Sequence, residues 1–329
     1  MKKILILVLM FSLLLSLVSC NGSKYNDALE LIEAGKYVEA YEILSELGDY
    51  KDAKKLLEGF YYVPVAAYLD KEGEQFSAEF FYDDDNMPLR TILTDALGSV
   101  DTVEYTYDSN KDLIKEFFVD AEYGETTYSY TYDENRNLIK EVYDHAQSED
   151  IYFIEREYDE NGREIKETVG IGDVVQLVTE YTYDENGYLI KEIYNTDEDE
   201  TVIDYTYDEN GNKIKGKTTY SDGTTSEVEY TYDENGRLIK ELEVADGEET
   251  FYANYTYDEN GNLVKEETVF YGEPFYTYDY TYDAHGNMIK SIFTGSEGNT
   301  NTKEMEYKLV YISKDVTDII ATVFEFNYL

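Results

Sequence analysis

At 329 residues, with 72 acidic against 27 basic side chains, the chain carries a formal net charge of −45, which excludes nucleic acid and anionic headgroups as partners held by surface charge. A single cysteine excludes an internal disulfide. The 37 Tyr and 14 Phe weigh against the disorder that such acidity often brings, because each buried aromatic removes about 150–250 Å² from water.

Met1 to Ser19 opens with Lys2-Lys3 and continues as an almost wholly apolar run from Ile4 to Val18, the form of a secretory signal and short for a membrane span. Its end, Leu17-Val18-Ser19-Cys20, resembles a bacterial lipobox. That resemblance implies cleavage before Cys20, lipidation of its thiol, and a mature chain tethered to the outer side of a cell membrane; the alternative is an ordinary signal with Cys20 incidental. Residues 20–24 are the expected tether, with Asn21-Gly22-Ser23 flexible. Residues 25–60 are expected to be helical. Asn26 to Gly35 starts on capping residues and ends on Gly, Tyr37 to Leu47 repeats the pattern, and Asp49 heads a third helix carrying Ala53, Leu56, Leu57 and Phe60. Ala28, Leu31, Gly35, Tyr37, Ala40 and Leu44 resemble part of a tetratricopeptide repeat. So short an array implies packing against a neighbour more than peptide binding.

From residue 61 the pattern turns to strands. Tyr61 to Leu69 and Gln75 to Tyr82 flank a turn at Lys71-Glu72-Gly73-Glu74, and Pro64 and Pro88 suggest a sheet edge. This segment reads as a degenerate opening repeat. A Tyr-Asp step then recurs with Asp at 83, 108, 133, 159, 184, 208, 233, 258 and 283, a spacing of 24 to 26 residues. A unit of that length cannot bury a core alone and calls for stacked neighbours.

Each unit reads as a hairpin. Val228, Tyr230 and Tyr232 alternate with Glu229 and Thr231 before Asp-Glu-Asn-Gly, and Leu238, Lys240 and Leu242 alternate with Ile239 and Glu241 after it. A type I turn closed by a glycine bulge pairs Tyr232 with Leu238 and Tyr230 with Lys240, placing tyrosines, leucine and lysine stem on one face. A two-residue Asn-Gly turn would instead pair Tyr232 with Ile239. The first reading is preferred because the copies at Asp108 and Asp133 lose Gly but keep Asp. It requires Lys111 and Arg136 to adopt the left-handed conformation, at about 1 kcal/mol each. The fixed turns should line one edge of a meander and the variable connections the other, where specificity resides. Glu304 to Ile312 reads as a further strand, and 313–329 as a C-terminal cap.

The nonapeptide Tyr230 to Leu238, Tyr-x-Tyr-Asp-x-x-Gly-Arg-Leu, resembles the YD repeat of the Rhs family, and Tyr-Thr-Tyr-Asp begins at 105, 130, 181, 205, 230, 255 and 280. The likeness covers about residues 76 to 310. It implies a strand-turn-strand unit coiling into an extended, spiralling sheet on a cell-surface or secreted protein, used for binding or encapsulation. Large members end in a core segment and a variable toxin. Neither is found here, Arg follows the turn Gly only at 163 and 237, and toxin delivery is not carried over. The expected fold is therefore mainly β, an extended, coiled antiparallel β-hairpin array (a meander or solenoid) over 61–312 with a small N-terminal helical segment. A β-propeller is the alternative.

No constellation for catalysis stands out. His145 in a variable loop and His285 at a turn position read as solvated, and the turn aspartates lack the rest of a calcium loop. No cofactor or metal is expected, only diffuse stabilisation by divalent cations that screen the carboxylates. The remaining candidates are the tyrosine rows: Tyr181 and Tyr183, Tyr205 and Tyr207, Tyr230 and Tyr232, Tyr255 and Tyr257, Tyr280 and Tyr282. They either pack as core or form a platform for sugar rings or cationic side chains, with Lys and Glu at the margins. The expectation is a monomeric, lipid-anchored, non-catalytic surface that binds an extracellular glycan or protein. A passive stalk or coat component is the alternative.

Overall fold

The computed structural model describes residues 21–71 and 73–311. The signal segment, Cys20 and the C-terminal cap at 313–329 lie outside the described residues. Contacts divide the described residues into two units, one comprising 21–66, 80–89 and 306–311, the other 67–71, 73–79 and 90–305.

In the first unit, residues 21–33 form a helix (α1), followed by α2 (Tyr37–Leu47) and the short α3 (Ala53–Leu57). Apolar residues at helical spacing meet as predicted. Ala28, Ala40, Leu44 and Ala53 are fully buried, and Tyr25 and Leu47 close the cluster. Two boundaries differ from the expectation. Residues 21–24, read as a tether, are already helical because Tyr25 packs into this core, and Phe60 opens the first strand, its ring 5.5 Å from Tyr41. Asn86 of the first Asp turn donates to the Tyr37 hydroxyl at 3.1 Å, which joins α2 to that turn.

Among the described residues, twenty strands, from Phe60–Lys71 to Thr300–Tyr311, form one sheet in which each strand pairs with its neighbours in the chain and the twentieth pairs back with the first. The pairings are antiparallel throughout the repeats. This corrects both the open solenoid and the propeller. Once the end strands meet, the sheet has no edge, and the rows of N–H and C=O groups that an open array exposes are satisfied. Pro64 therefore lies inside a strand with a neighbour on each side, not on an edge. Pro88 is the first residue of its strand.

The Asp turn has the expected geometry. Gly236 N–H donates to Asp233 O at 3.0 Å, Asp233 N–H to Arg237 O at 2.9 Å, and Gly236 has φ +78°. The same two bonds occur at all nine Asp positions from Asp83 to Asp283. Lys111 and Arg136 take φ of +64° and +69° as predicted, a conformation in which their Cβ crowds the carbonyl. Lys111→Gly should therefore raise the urea midpoint, by the equivalent of about 0.5–1 kcal/mol. Arg136 also binds Asp112 through two guanidinium nitrogens, so Arg136→Gly should gain less.

One residue beyond the turn the register departs from expectation. Tyr232 pairs with Leu238, but Thr231 then pairs with Lys240 and Tyr230 with Glu241, leaving Ile239 as a bulge. The same slip recurs at Tyr107, Tyr132, Tyr158, Tyr183, Tyr207, Tyr257 and Tyr282. Because side chains alternate with period two, the slip exchanges the faces of Lys and Glu. Each Leu-Ile-Lys-Glu sends Leu and Glu to the tyrosine face and Lys to the exposed threonine face.

Candidate functional site

On the tyrosine face, the second tyrosine of seven successive repeats is a tie between repeats. Tyr132, Tyr158, Tyr183, Tyr207, Tyr232, Tyr257 and Tyr282 each donate a hydroxyl proton to a backbone carbonyl of the preceding repeat, at 2.7 to 2.9 Å. The acceptor is always the residue at the leucine position, Leu113 to Leu263, beside the bulge. This explains why the sequence keeps Tyr there and not Phe: the bulge takes that carbonyl out of the ladder, and a buried acceptor needs a donor.

The first tyrosine of each pair meets the buried glutamates. Tyr105, Tyr130, Tyr181, Tyr230 and Tyr255 lie opposite Glu116, Glu141, Glu192, Glu241 and Glu266, whereas Tyr205 and Tyr280 face Gly216 and Ser291. Tyr130 donates to Glu116 at 2.8 Å, Tyr143 to Glu141 at 2.9 Å and Tyr276 to Glu266 at 3.0 Å. Burial and the neighbouring carboxylates push the Tyr181 hydroxyl up to about 12. The candidates from Tyr181 to Tyr282 thus share one half-buried face. The lysines expected at its margin point the other way, except Lys213, which replaces the leucine and sits 4.1 Å over the Tyr205 ring.

The fourth repeat breaks the pattern. Arg156 stands where the others have the first tyrosine, and Glu164 stands where they have leucine. Its guanidinium reaches Glu141 at 2.5 Å, Glu167 at 3.2 Å and Glu164 at 3.7 Å, with 16% of its side chain exposed. Three carboxylates from two strands thus converge on one cation. Burial pushes the Glu164 carboxyl up, Arg156 pulls it down, and Glu167 and Glu141 add to the rise.

At the fixed-turn edge, each Asp accepts backbone N–H bonds on Oδ1. Where the residue four on is Asn or Arg, Oδ2 accepts its side chain as well: the amide of Asn137, Asn212, Asn262 or Asn287, or the guanidinium of Arg163 or Arg237. Asn at this position does the same work as the Arg of the family repeat. The backbone N–H of the residue four on, together with its guanidinium, holds Asp159 and Asp233 down to about 2. Burial pushes Glu116 and Glu241 up.

The two sets of carboxylates give opposite pH dependences. Raised glutamates disfavour the folded state above their folded pKa, and this cost disappears toward their unfolded value of about 4.3. Lowered aspartates contribute stability above about 3.9, which is lost as the pH falls toward 2. The urea midpoint should therefore rise from pH 8 to about pH 5 and fall below about pH 3. A continuous fall from pH 8 downward, followed by circular dichroism, would refute this account.

His145 closes a strand instead of lying in a loop, its Nδ1 accepting from Gln147 N–H at 3.1 Å, and His285 N–H donates to Asp283 within an exposed turn. At the variable edge the sequence reading missed an aromatic patch. Phe270, Tyr271 and Phe275 are 47%, 63% and 51% exposed, with ring centroids 4.6 Å apart for Phe270–Tyr271 and 6.0 Å apart for Phe270–Phe275. Tyr271 takes φ +47°, strained for a residue with a Cβ.

The teneurin YD-shell family model matches residues 45–254. Among solved structures, the crystal structure of TcdB2-TccC3-Cdc42 is similar at 16% identity and TM-score 0.44, over 71% of this chain and 14% of that one. A porin-like protein from Bacteroides uniformis is similar at 12% identity and TM-score 0.35, over 74% of this chain and 96% of that one. The Tc holotoxin pore of Photorhabdus luminescens gives 13% identity and TM-score 0.26, over 82% and 20%. This chain spans 14% of the toxin chain in the first of these. No curated protein matches it.

Proposed function

The chain belongs to the teneurin YD-shell family, and on that premise we propose that it is a non-catalytic shell whose variable edge binds an extracellular glycan or protein. The reading rests on the contrast between the two edges. The fixed turns repeat one hydrogen-bonded geometry beside the tyrosine ties between repeats, whereas Phe270, Tyr271 and Phe275 stand exposed on one variable connection with a strained backbone. The tyrosine face takes no direct part, because its second-position hydroxyls already hold neighbouring repeats together. That same engagement favours the runner-up, a passive coat component.

To separate the two, the purified full chain is presented to a glycan array and to a panel of extracellular matrix proteins. Binding to either is expected, and the triple variant Phe270→Ser, Tyr271→Gly, Phe275→Ser should lose at least tenfold toward a protein partner. No binding in either panel leaves the coat reading.

The shell is further proposed to be held at the membrane by a lipid on Cys20, a reading carried by the sequence Leu17 to Cys20 after its apolar run. In cells, Cys20→Ala should lose both radiolabelled fatty acid and the membrane-bound fraction. Retention of label would end this part of the reading.

A further inference from the structure

We propose that the second unit carries a saccharide subsite in a cavity on its threonine face, where the first three strands and the last one adjoin. This rests on the binding reading above and gives its glycan branch a location. The cavity has a volume of about 630 Å³, within the range of small-molecule sites. Its lining comes from four strands and includes Tyr68, Gln75, Ser77, Thr94 and Thr302.

Its position follows from register. Thr281 pairs with Lys290 and Lys290 with Glu304, so Glu304 and Thr302 share the face of the exposed threonines. On the third strand Arg90 pairs with Glu104, and Thr94, four residues on, lies on the same face.

Through the repeats that face is dominated by Thr, Lys and acid: Lys140, Lys191 and Lys290 each pair with a carboxylate of the next strand, and Phe117, Phe153 and Tyr252 lie beside Lys115, Lys140 and Lys240. This arrangement stops where the Tyr-Thr-Tyr-Asp pattern is missing. In its place stand hydroxyls, an amide, a phenol ring and carboxylates, with Leu69 and Phe76 among them. The repeat does not dictate the side chains of this concavity, so they are free to select a ligand.

The chemistry of the lining narrows the ligand. None of the described lining residues is Lys, Arg or His, and Glu304 is held by Lys290 at 2.7 Å, so an anion has no counter-charge there. The lining is mostly polar, which disfavours a lipid or an aromatic ligand. Asp95 accepts the N–H groups of Leu97 and Ser99 on Oδ1, which fixes its carboxylate at the rim without a cation. Fixed acceptors, hydroxyl and amide groups, and a ring that is 48% exposed for stacking match a neutral sugar, whose hydroxyls donate and accept and whose C–H face is apolar.

The test uses the full chain on an array of neutral oligosaccharides ending in glucose, galactose, mannose or N-acetylglucosamine, with sialylated and sulfated glycans alongside. Binding to one or more neutral glycans and to none of the anionic ones is expected. Tyr68→Ser and the cavity-filling Ser77→Phe should each weaken binding at least tenfold. Tyr68→Phe, which keeps the ring, should bind within about threefold of wild type. Tyr68 is half exposed, so Tyr68→Ser tests the ring without disturbing the core. If neutral glycans bind equally well to Tyr68→Ser and Ser77→Phe, the subsite is wrong and the general binding role stands. If only anionic glycans bind, the assigned ligand class is wrong. If no glycan binds while a matrix protein does, the subsite falls and the protein branch remains.

Discussion

Replacing Arg156 by Met is expected to destabilise the protein by about 3 kcal/mol at pH 7.5, more than any other single change on the tyrosine face. The estimate is the low end of the range for breaking a buried ion pair, because the cluster is only mostly buried. Met keeps the aliphatic volume, so the loss isolates the charge. Glu141, Glu164 and Glu167 would then face one another without a cation, and Glu164, which burial already pushes up, would lose the group that pulls it down. A carboxyl raised in this way penalises the folded state above its folded pKa and stops doing so below about 4.3, so the deficit should shrink between pH 7.5 and pH 5. Urea midpoints at the two pH values check this. A deficit that does not change with pH would mean that Arg156 acts through packing alone. Adding Glu164→Leu, the consensus residue at that position, should restore part of the loss.

The second large effect is cumulative. Tyr→Phe at 207, 232, 257 and 282 together should cost about 4 kcal/mol, near 1 kcal/mol for each lost hydroxyl. Every one of these hydroxyls donates to a carbonyl one repeat back, and the acceptor left behind is partly buried. The ring and its contacts stay, so the change reads the hydrogen bond and little else. The sites lie in successive repeats and do not share a partner, so single-variant losses should add within a few tenths of a kcal/mol. Tyr→Phe at Tyr271 and Tyr152, both exposed, is the control and should leave the midpoint in place. If the four-site variant matches the control, the hydroxyl ties are geometric coincidences of the repeat.

Much of the repeat was legible in the residues. Asp-x-x-Gly specifies a turn by local chemistry, and the two copies without Gly pointed to the same turn, because only that geometry keeps a use for the Asp. The pairing of Tyr232 with Leu238 follows from it. The bulge at Ile239 does not. Ile-Lys-Glu alternates equally well with or without a slip, and only the partner strand decides which charge turns to the tyrosines. Lys240 was therefore placed on the wrong face.

Closure was also beyond reach of the sequence pattern, since it depends on twist accumulated over all twenty strands. The Arg156 cluster did leave a signal: one repeat loses its tyrosine to Arg and its leucine to Glu together, a paired exchange that chance substitution would seldom produce. The cavity left none, because it is defined by where the motif is absent.

Pairing the last strand with the first has an arithmetic consequence. Strands that alternate in direction can close with antiparallel pairs throughout only if their number is even, and each repeat adds two. Duplication or loss of one whole 25-residue unit therefore preserves the parity that closure needs, whereas gain or loss of a single strand cannot. Ring size is thus free to change by whole repeats during evolution, with every intermediate able to seal.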